Sequence, residues 1–463
     1  MIINYRIKNS NKFSGVILLE LKLLKTIIIF LLIFNLLTKI KLRRLKNSNA
    51  LFNEEIIHIG FYEDNVDCGA LFRKLKGTFF THLPKFNIKV TILSKSGINE
   101  NCLKFTHLDF INVKKSIHNC DILENAIKNL MLDIIVENEH RHNDELRCLI
   151  KMKNKYDIKI VQIMHEFPFY HLYNTNLDLF NRNWRNLKQF DAVFGFTPTQ
   201  IYYYHKQGLN QSIYMPGHLY YEPRDNTPAK LQNKNLIMVG RASNGKRYNL
   251  AINALRYIIK EIPDCKLTIV SNPSQELIKL SKDLGVYDHV IFTGTKDDVH
   301  KYLVDASIYL LLSDYESYCY ALAEAKAFGL ANINLGKKYL VLTENGTINI
   351  NNDDPEEIAD ICIKLLKNQT YLKEEGMLAR KSLEQYNYEY LNERYYKVMV
   401  SLYNNDFISY AEKEYKKINI SKEDSILKEE FELLKKRKPD LIGCRDYKYL
   451  FQPIENFHIE KCI

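Results

Sequence analysis

Two carboxylates, Glu316 and Glu324, stand eight positions apart in "ESYCYALAEAKAFG", a stretch otherwise small, aromatic or aliphatic apart from Lys326. A carboxylate in so apolar a run is costly unless something donates hydrogen bonds to it. The hydroxyls of a sugar and of a ribose are suitable donors. Glu324 could instead face water or pair with a neighbouring cation such as Lys326. Upstream, "GRASNGK" begins at Gly240 and sets Arg241 and Lys246 five apart in a glycine-containing loop. Two cations and free loop amides make an anion cradle, and fixed positive charge there would stabilise a departing diphosphate. Taken singly, the same two residues could be ordinary surface charge. His165 closes the apolar run "IKIVQIMH" and is either a plain strand-end histidine or a group beside a reacting centre.

Each of these residues follows a run of strand length. Apolar segments Ile56–Tyr62, Phe86–Ser94, Leu132–Asn138, Ile158–Glu166, Ala192–Thr197 and Ser212–Gly217 form a first set, with helical patterns at Asp121–Met131 and Arg141–Tyr156 between them. The polar stretch Tyr220–Asn235, with two prolines, reads as a linker. The alternation restarts with Leu236–Gly240, Cys265–Ser271, His289–Gly294, Ile308–Ser313 and Leu330–Gly336. Apolar strands alternating with helices indicate parallel sheets covered on both faces. Two such sheets in series predict two doubly wound, Rossmann-like α/β domains facing a cleft, with ligands beyond the carboxyl ends of the strands at a switch point.

A helix is expected to start near Ser317, and its unpaired first amides make a natural phosphate site. Glu324 would then lie roughly 10 Å inside it at 1.5 Å per residue. A sugar at Glu316, a diphosphate over the helix end and a ribose at Glu324 span about that distance. Past Asp354 the pattern is helical, and Ser421–Lys438 carries acids early and bases late, as a packing helix on the surface does. The expected division is 1–50 for an anchor and its basic flank, 51–225 for a first sheet domain, 226–400 for a second, and 401–463 for a helical extension.

The net charge of +10 is local. Residues 1–46 hold ten Lys or Arg against one acid, so the other 417 residues carry only +1. A phosphate-backbone groove across the body, and hence nucleic-acid binding, is not expected. The basic stretch surrounds Leu23–Ile40, 18 residues that could cross a bilayer with snorkelling lysines. This segment is read as an uncleaved membrane anchor, with an interfacial or a buried helix as alternatives. The Lys/Arg cluster after it favours a cytosolic body. Nine widely spaced cysteines without C-x-x-C indicate neither a disulfide framework nor a zinc site.

Val239–Leu255, Pro263–Ser271, Asp288–Ser313 and Glu316–Gly329 together resemble the donor domain of family 4 glycosyltransferases, also called group 1, which are retaining enzymes of the GT-B fold. The resemblance runs from Leu236 to about Tyr396, with Asn352–Leu366 similar to the family's domain-closing helix. The first half is similar in architecture and at a few points. The resemblance implies transfer of a hexose from a nucleotide-diphosphate sugar to a hydroxyl of a glycan, lipid or protein acceptor, with retention. It implies that Arg241 and Lys246 hold the diphosphate, Glu316 the sugar hydroxyls and Glu324 the ribose. Gly240, Ser317, Tyr318, Cys319 and Tyr320 would complete the donor lining, and Gly294 and Thr295 would border the base. Gly69 would match the glycine loop near the donor phosphates, and His165 the histidine beside the donor sugar. Glu316, His165, Arg241 and Lys246 are thus the expected catalytic set. "EHRH" (Glu139–His142) could touch the acceptor or be a polar loop.

The sequence departs from the family pattern in places. Tyr318 and Tyr320 stand where a small residue and a proline are usual, Ala331 replaces a proline, and "LGKK" stands in for a glycine-rich turn. No Asp-x-Asp directly follows an apolar strand, and Asp297–Asp298 and Asp353–Asp354 read as helix-start acids. The expectation is therefore metal-independent transfer with no cofactor beyond the donor. A nucleotide-sugar epimerase with the same grip, or a non-catalytic sugar-binding protein, are the alternative readings.

Overall fold

The computed structural model describes residues 56–63, 87–94, 109–112, 120–138, 143–165, 184–219, 223, 226–296, 298–437, 439 and 447–451. The expected anchor, Gly69 and Glu139–His142 lie outside them. Among the described residues no helix is long and apolar enough to cross a membrane.

The first sheet contains β1 (Ile57–Glu63), β2 (Ile88–Ser94), β3 (Asp109–Asn112), β4 (Ile134–Glu137), β5 (Lys159–Met164), β6 (Ala192–Gly195) and β7 (Ser212–Tyr214). The second contains β8 (Asn235–Val239), β9 (Lys266–Val270), β10 (Val290–Phe292), β11 (Ile308–Leu311), β12 (Ala331–Leu335) and β13 (Ile348–Ile350). The orders are β3-β2-β1-β4-β5-β6-β7 and β10-β9-β8-β11-β12-β13. Every pairing is parallel. Strands covered on both faces need unbroken apolar runs, and β4, β6, β11 and β12 are buried at every position. β3 and β13 are edge strands of four and three residues, too short to show a period in the sequence.

The strand order reverses between β1 and β4 in one sheet and between β8 and β11 in the other. At such a reversal the connections from the two central strands leave in opposite directions and open a crevice. Arg241 and Lys246 follow β8, and Glu316 follows β11, so the two charged loops flank the second sheet's switch point.

Two expectations require correction. The helix after β11 runs Tyr320–Ala327 and does not start at Ser317. Cys319, at the position before it, takes a left-handed backbone (φ 61°), so Ser317 and Tyr318 cannot continue an α-helix. Glu324 is the fifth residue of that helix, about 6 Å from its start rather than 10 Å. Cys120 and Cys148 are disulfide-bonded with Cα atoms 5.5 Å apart, although no disulfide was expected from the spacing. They are 28 residues apart in sequence, a separation that only the fold closes. Cys265, Cys319 and Cys362 are buried free thiols. The described part of the expected linker, between the two sheets, is held through its backbone by hydrogen bonds. Ala229 N–H donates to Phe328 O (2.8 Å), and Gln369 Nε2 donates to Leu231 O (2.8 Å).

The C-terminal helices return to the first sheet's side. The Ile420–Arg437 helix buries Leu427, Phe431 and Leu434, and meets the Pro198–Lys206 helix that follows β6. There Thr199 Oγ1 donates to Glu423 Oε2 (2.6 Å), and Tyr202 OH donates to Asp424 Oδ1 (2.5 Å). The Tyr388–Tyr403 helix sends Arg394 to Tyr214 O (2.6 Å) at the end of β7 and to Glu414 Oε2 (2.6 Å).

Candidate functional site

The loops after β8 and β11 are joined at the backbone: Asp314 N–H donates to Gly245 O (2.8 Å). This bond brings their side chains into register. Lys246 Nζ lies 2.5 Å from Glu316 Oε1, and the two side chains are 22% and 11% exposed. Burial opposes the charge on Lys246. The Glu316 carboxylate more than restores it and holds the lysine above its usual range.

Gly240, directly after β8, makes room for this lysine. A Cβ there would stand 2.9 Å from Lys246 Cε and 3.0 Å from Tyr248 OH. Arg241 follows it and is exposed, its carbonyl accepting from Tyr248 OH at 3.3 Å. Of the two expected phosphate cations, Lys246 is therefore set against the carboxylate while Arg241 is open to solvent.

Glu316 is also fixed through its backbone. Its N–H donates to Tyr339 OH (2.9 Å), and that hydroxyl donates to Glu316 O (3.0 Å). Tyr339 is buried and sits after β12, just beyond the "LGKK" that replaces the family's glycine-rich turn. Tyr339 was not among the residues singled out in the sequence. The departure at "LGKK" was the available signal, since a bulky residue following a lost glycine turn has to be accommodated somewhere.

Glu324 is buried at 7% exposure, so it does not face water. Nor is Lys326 its partner. Lys326 is fully buried and donates to Asn345 O (2.5 Å) and Ser382 Oγ (3.0 Å). Ser317 is half-buried in the bend between Glu316 and the helix. Cys319 is buried beneath it, and its thiol is pushed up to about 12 by burial, with the Glu316 carboxylate adding to the effect. It is a filler, not a nucleophile.

Tyr318 and Tyr320 meet the first sheet. Phe196, just past β6, lies 5.9 Å from Tyr318 and 6.3 Å from Tyr320 between ring centroids. His165, just past β5, is 5.3 Å from Phe196 on its other side. His165 Nε2 lies 2.7 Å from Asn138 Oδ1, which follows β4, and so acts as donor there. The histidine is thus positioned at the carboxyl ends of the first sheet, one aromatic ring away from the loop that carries Glu316. Gly217 receives the tyrosines: a Cβ there would be 2.6 Å from Tyr318 Cδ1 and 2.7 Å from Tyr320 OH. Phe196 and Gly217 were not singled out in the sequence, because their importance lies in contacts more than a hundred residues away.

Gly294 turns with φ 71° after β10, and Thr295 N–H donates to Asn272 Oδ1 (2.9 Å). β10 is two strands from β8, roughly 10 Å across the sheet at the usual strand spacing. Gly69 lies outside the described residues.

Residues 222–389, the stretch that contains the Lys246, Glu316 and Glu324 positions, match the family described as glycosyl transferases group 1. An uncharacterized glycosyltransferase of Haemophilus influenzae is 32% identical over 155 residues, 32% of this chain and 44% of that protein. The N-acetyl-alpha-D-glucosaminyl L-malate synthase of Bacillus anthracis is 31% identical over 168 residues, 35% of this chain and 44% of that protein. The chain thus spans less than half the length of these curated relatives. Among solved structures, TarM superposes with a TM-score of 0.64 at 12% identity, covering 75% of this chain and 99% of TarM. HepE of Anabaena, in complex with UDP and glucose, superposes at 0.61 with 12% identity, covering 74% of this chain and all of HepE. These likenesses establish a GT-B-like fold of two parallel-sheet, Rossmann-like domains.

Proposed function

We propose that this protein is a group 1 glycosyltransferase that moves a hexose from a nucleoside-diphosphate sugar to an acceptor hydroxyl, with retention and without a metal ion. The observation that carries the reading is the meeting of Lys246 and Glu316 at the switch point, in the segment that matches the family. A nucleoside diphosphate leaving group carries two to three negative charges, and catalysis consists largely of stabilising them as the glycosidic bond breaks. Lys246 and Arg241 supply fixed positive charge on that side. Glu316 faces the sugar hydroxyls, Glu324 the ribose, and His165 approaches from the first sheet. The bend at Ser317 and the turn at Gly294 and Thr295 complete the donor's surroundings.

UDP is the nucleotide held by HepE, which makes UDP-sugars the first probes for this chain. The B. anthracis relative is named N-acetyl-alpha-D-glucosaminyl L-malate synthase, so UDP-N-acetylglucosamine joins the probes. Residues 23–40 would tether the enzyme to a membrane with its body in the cytosol, close to a lipid or glycan acceptor.

The test is a thermal-shift panel of UDP-, GDP- and ADP-sugars on the full chain, followed by nucleoside-diphosphate release and NMR of the product's anomeric centre. One nucleotide family should raise the unfolding midpoint, and the product should keep the donor's anomeric configuration. Turnover should persist in chelator. Inverted product would exclude retention, loss in chelator reversed by magnesium or manganese would exclude metal independence, and no response to any nucleotide sugar would exclude the function.

A further inference from the structure

The cation that the proposed function sets against the diphosphate is paired within the protein itself. Lys246 Nζ sits 2.5 Å from Glu316 Oε1, both side chains are largely buried, and each is held from behind. Gly240 lets the lysine stem lie flat against its loop, and Tyr339 grips both the N–H and the C=O of Glu316. The pair is therefore built into the fold rather than being a chance encounter of mobile surface groups. Arg247, the following residue, is paired instead with Asp353 at 2.9 Å.

We infer that Glu316 is an internal stand-in for the donor's diphosphate, neutralising Lys246 until an intact donor draws the carboxylate away. This rests on the reading that Lys246 meets the diphosphate. An intact donor brings sugar hydroxyls, which give Glu316 new hydrogen-bond donors as it leaves the lysine. A bare nucleoside diphosphate brings none, so it must compete with the carboxylate for the same cation. The device favours donor entry and product departure together. It assigns Glu316 a second role that sugar recognition alone does not require.

The experiment is calorimetric titration of the full chain with UDP, GDP and ADP in turn, and with inorganic pyrophosphate. The proteins are wild type, Glu316→Gln, Lys246→Ala and the double variant, each checked for an unchanged unfolding transition. Glu316→Gln keeps size and polarity but removes the charge. It should bind the preferred nucleoside diphosphate and pyrophosphate about tenfold tighter than wild type, the scale of one charge-assisted hydrogen bond. The gain should vanish when Lys246→Ala is added. Unchanged or weaker binding by Glu316→Gln, with Lys246→Ala still impaired, overturns the stand-in role while leaving the donor site intact. Equal binding by wild type and Lys246→Ala overturns both. Glu316→Ala provides a second variant should the glutamine disturb the loop.

Discussion

At Gly240 there is no room for a methyl group, and the consequence falls on Lys246. A Cβ there would stand 2.9 Å from Lys246 Cε, and the lysine's flexible stem would yield before the strand did. Gly240→Ala is therefore expected to leave the unfolding midpoint nearly unchanged and to weaken nucleoside-diphosphate binding several-fold, as measured by calorimetry. Tyr339→Phe keeps the ring and removes the two bonds that fix Glu316. Two neutral hydrogen bonds are worth about 1 kcal/mol each, so a five- to thirtyfold fall in kcat is expected, with nucleoside-diphosphate affinity within about twofold of wild type. Equal losses in both quantities would show that Tyr339 merely supports the fold. Glu316, Glu324, Arg241 and Lys246 were singled out by residue type and spacing, and of these the structure brings Lys246 and Glu316 into contact. Tyr339 was not singled out, because the changed turn at "LGKK" beside it does not say which side chain fills the space or whose backbone it serves.

The short Tyr320–Ala327 helix shows how far sequence patterning reaches at the scale of an element. Its existence and its place after β11 were legible, because an apolar run precedes it and helix formers fill it. Its start was not, because Cys319 occupies a left-handed conformation that side chains other than glycine seldom adopt. The central, apolar strands were legible to within one or two residues, and the short edges β7 and β10 were legible too, whereas the edges β3 and β13 were not. The same helix buries Lys326, whose ammonium bonds only neutral oxygens and is pushed by burial down to about 7 from the usual 10.5. Below pH 7 the folded state bears the full cost of a buried charge. As pH rises from 7 toward 10.5, only the unfolded chain keeps the proton strongly, so that cost disappears and stability rises. Lys326→Met lacks this contribution. Thermal unfolding from pH 7 to 9.5 should therefore show a steeper upward trend for wild type than for the variant, and parallel curves would contradict the assignment.

Across the whole molecule, the two sheet domains meet where β5 and β6 present His165 and Phe196 to Tyr318 and Tyr320, with Gly217 leaving the space they fill. Two doubly wound domains in series were legible in the alternation of strands and helices, but this contact was not, since it joins residues from separate sheets. Gly217→Ala would place a methyl 2.6 Å from the buried Tyr318 ring. Overpacking of this kind costs about 1–3 kcal/mol. Because Lys246, Glu316 and Glu324 all belong to the second domain, the variant should retain nucleoside-diphosphate affinity while turnover falls at least about tenfold. That separation, read from calorimetry and a release assay, would locate binding in one domain and chemistry across both. The most direct test of the central claim is calorimetric titration of wild type and Lys246→Ala with UDP, GDP and ADP. One nucleotide should bind the wild type and lose about ten- to a hundredfold in affinity in the variant, as expected for a charge-assisted contact of about 1.5–3 kcal/mol. Undiminished binding by Lys246→Ala would place any nucleotide elsewhere and contradict the account.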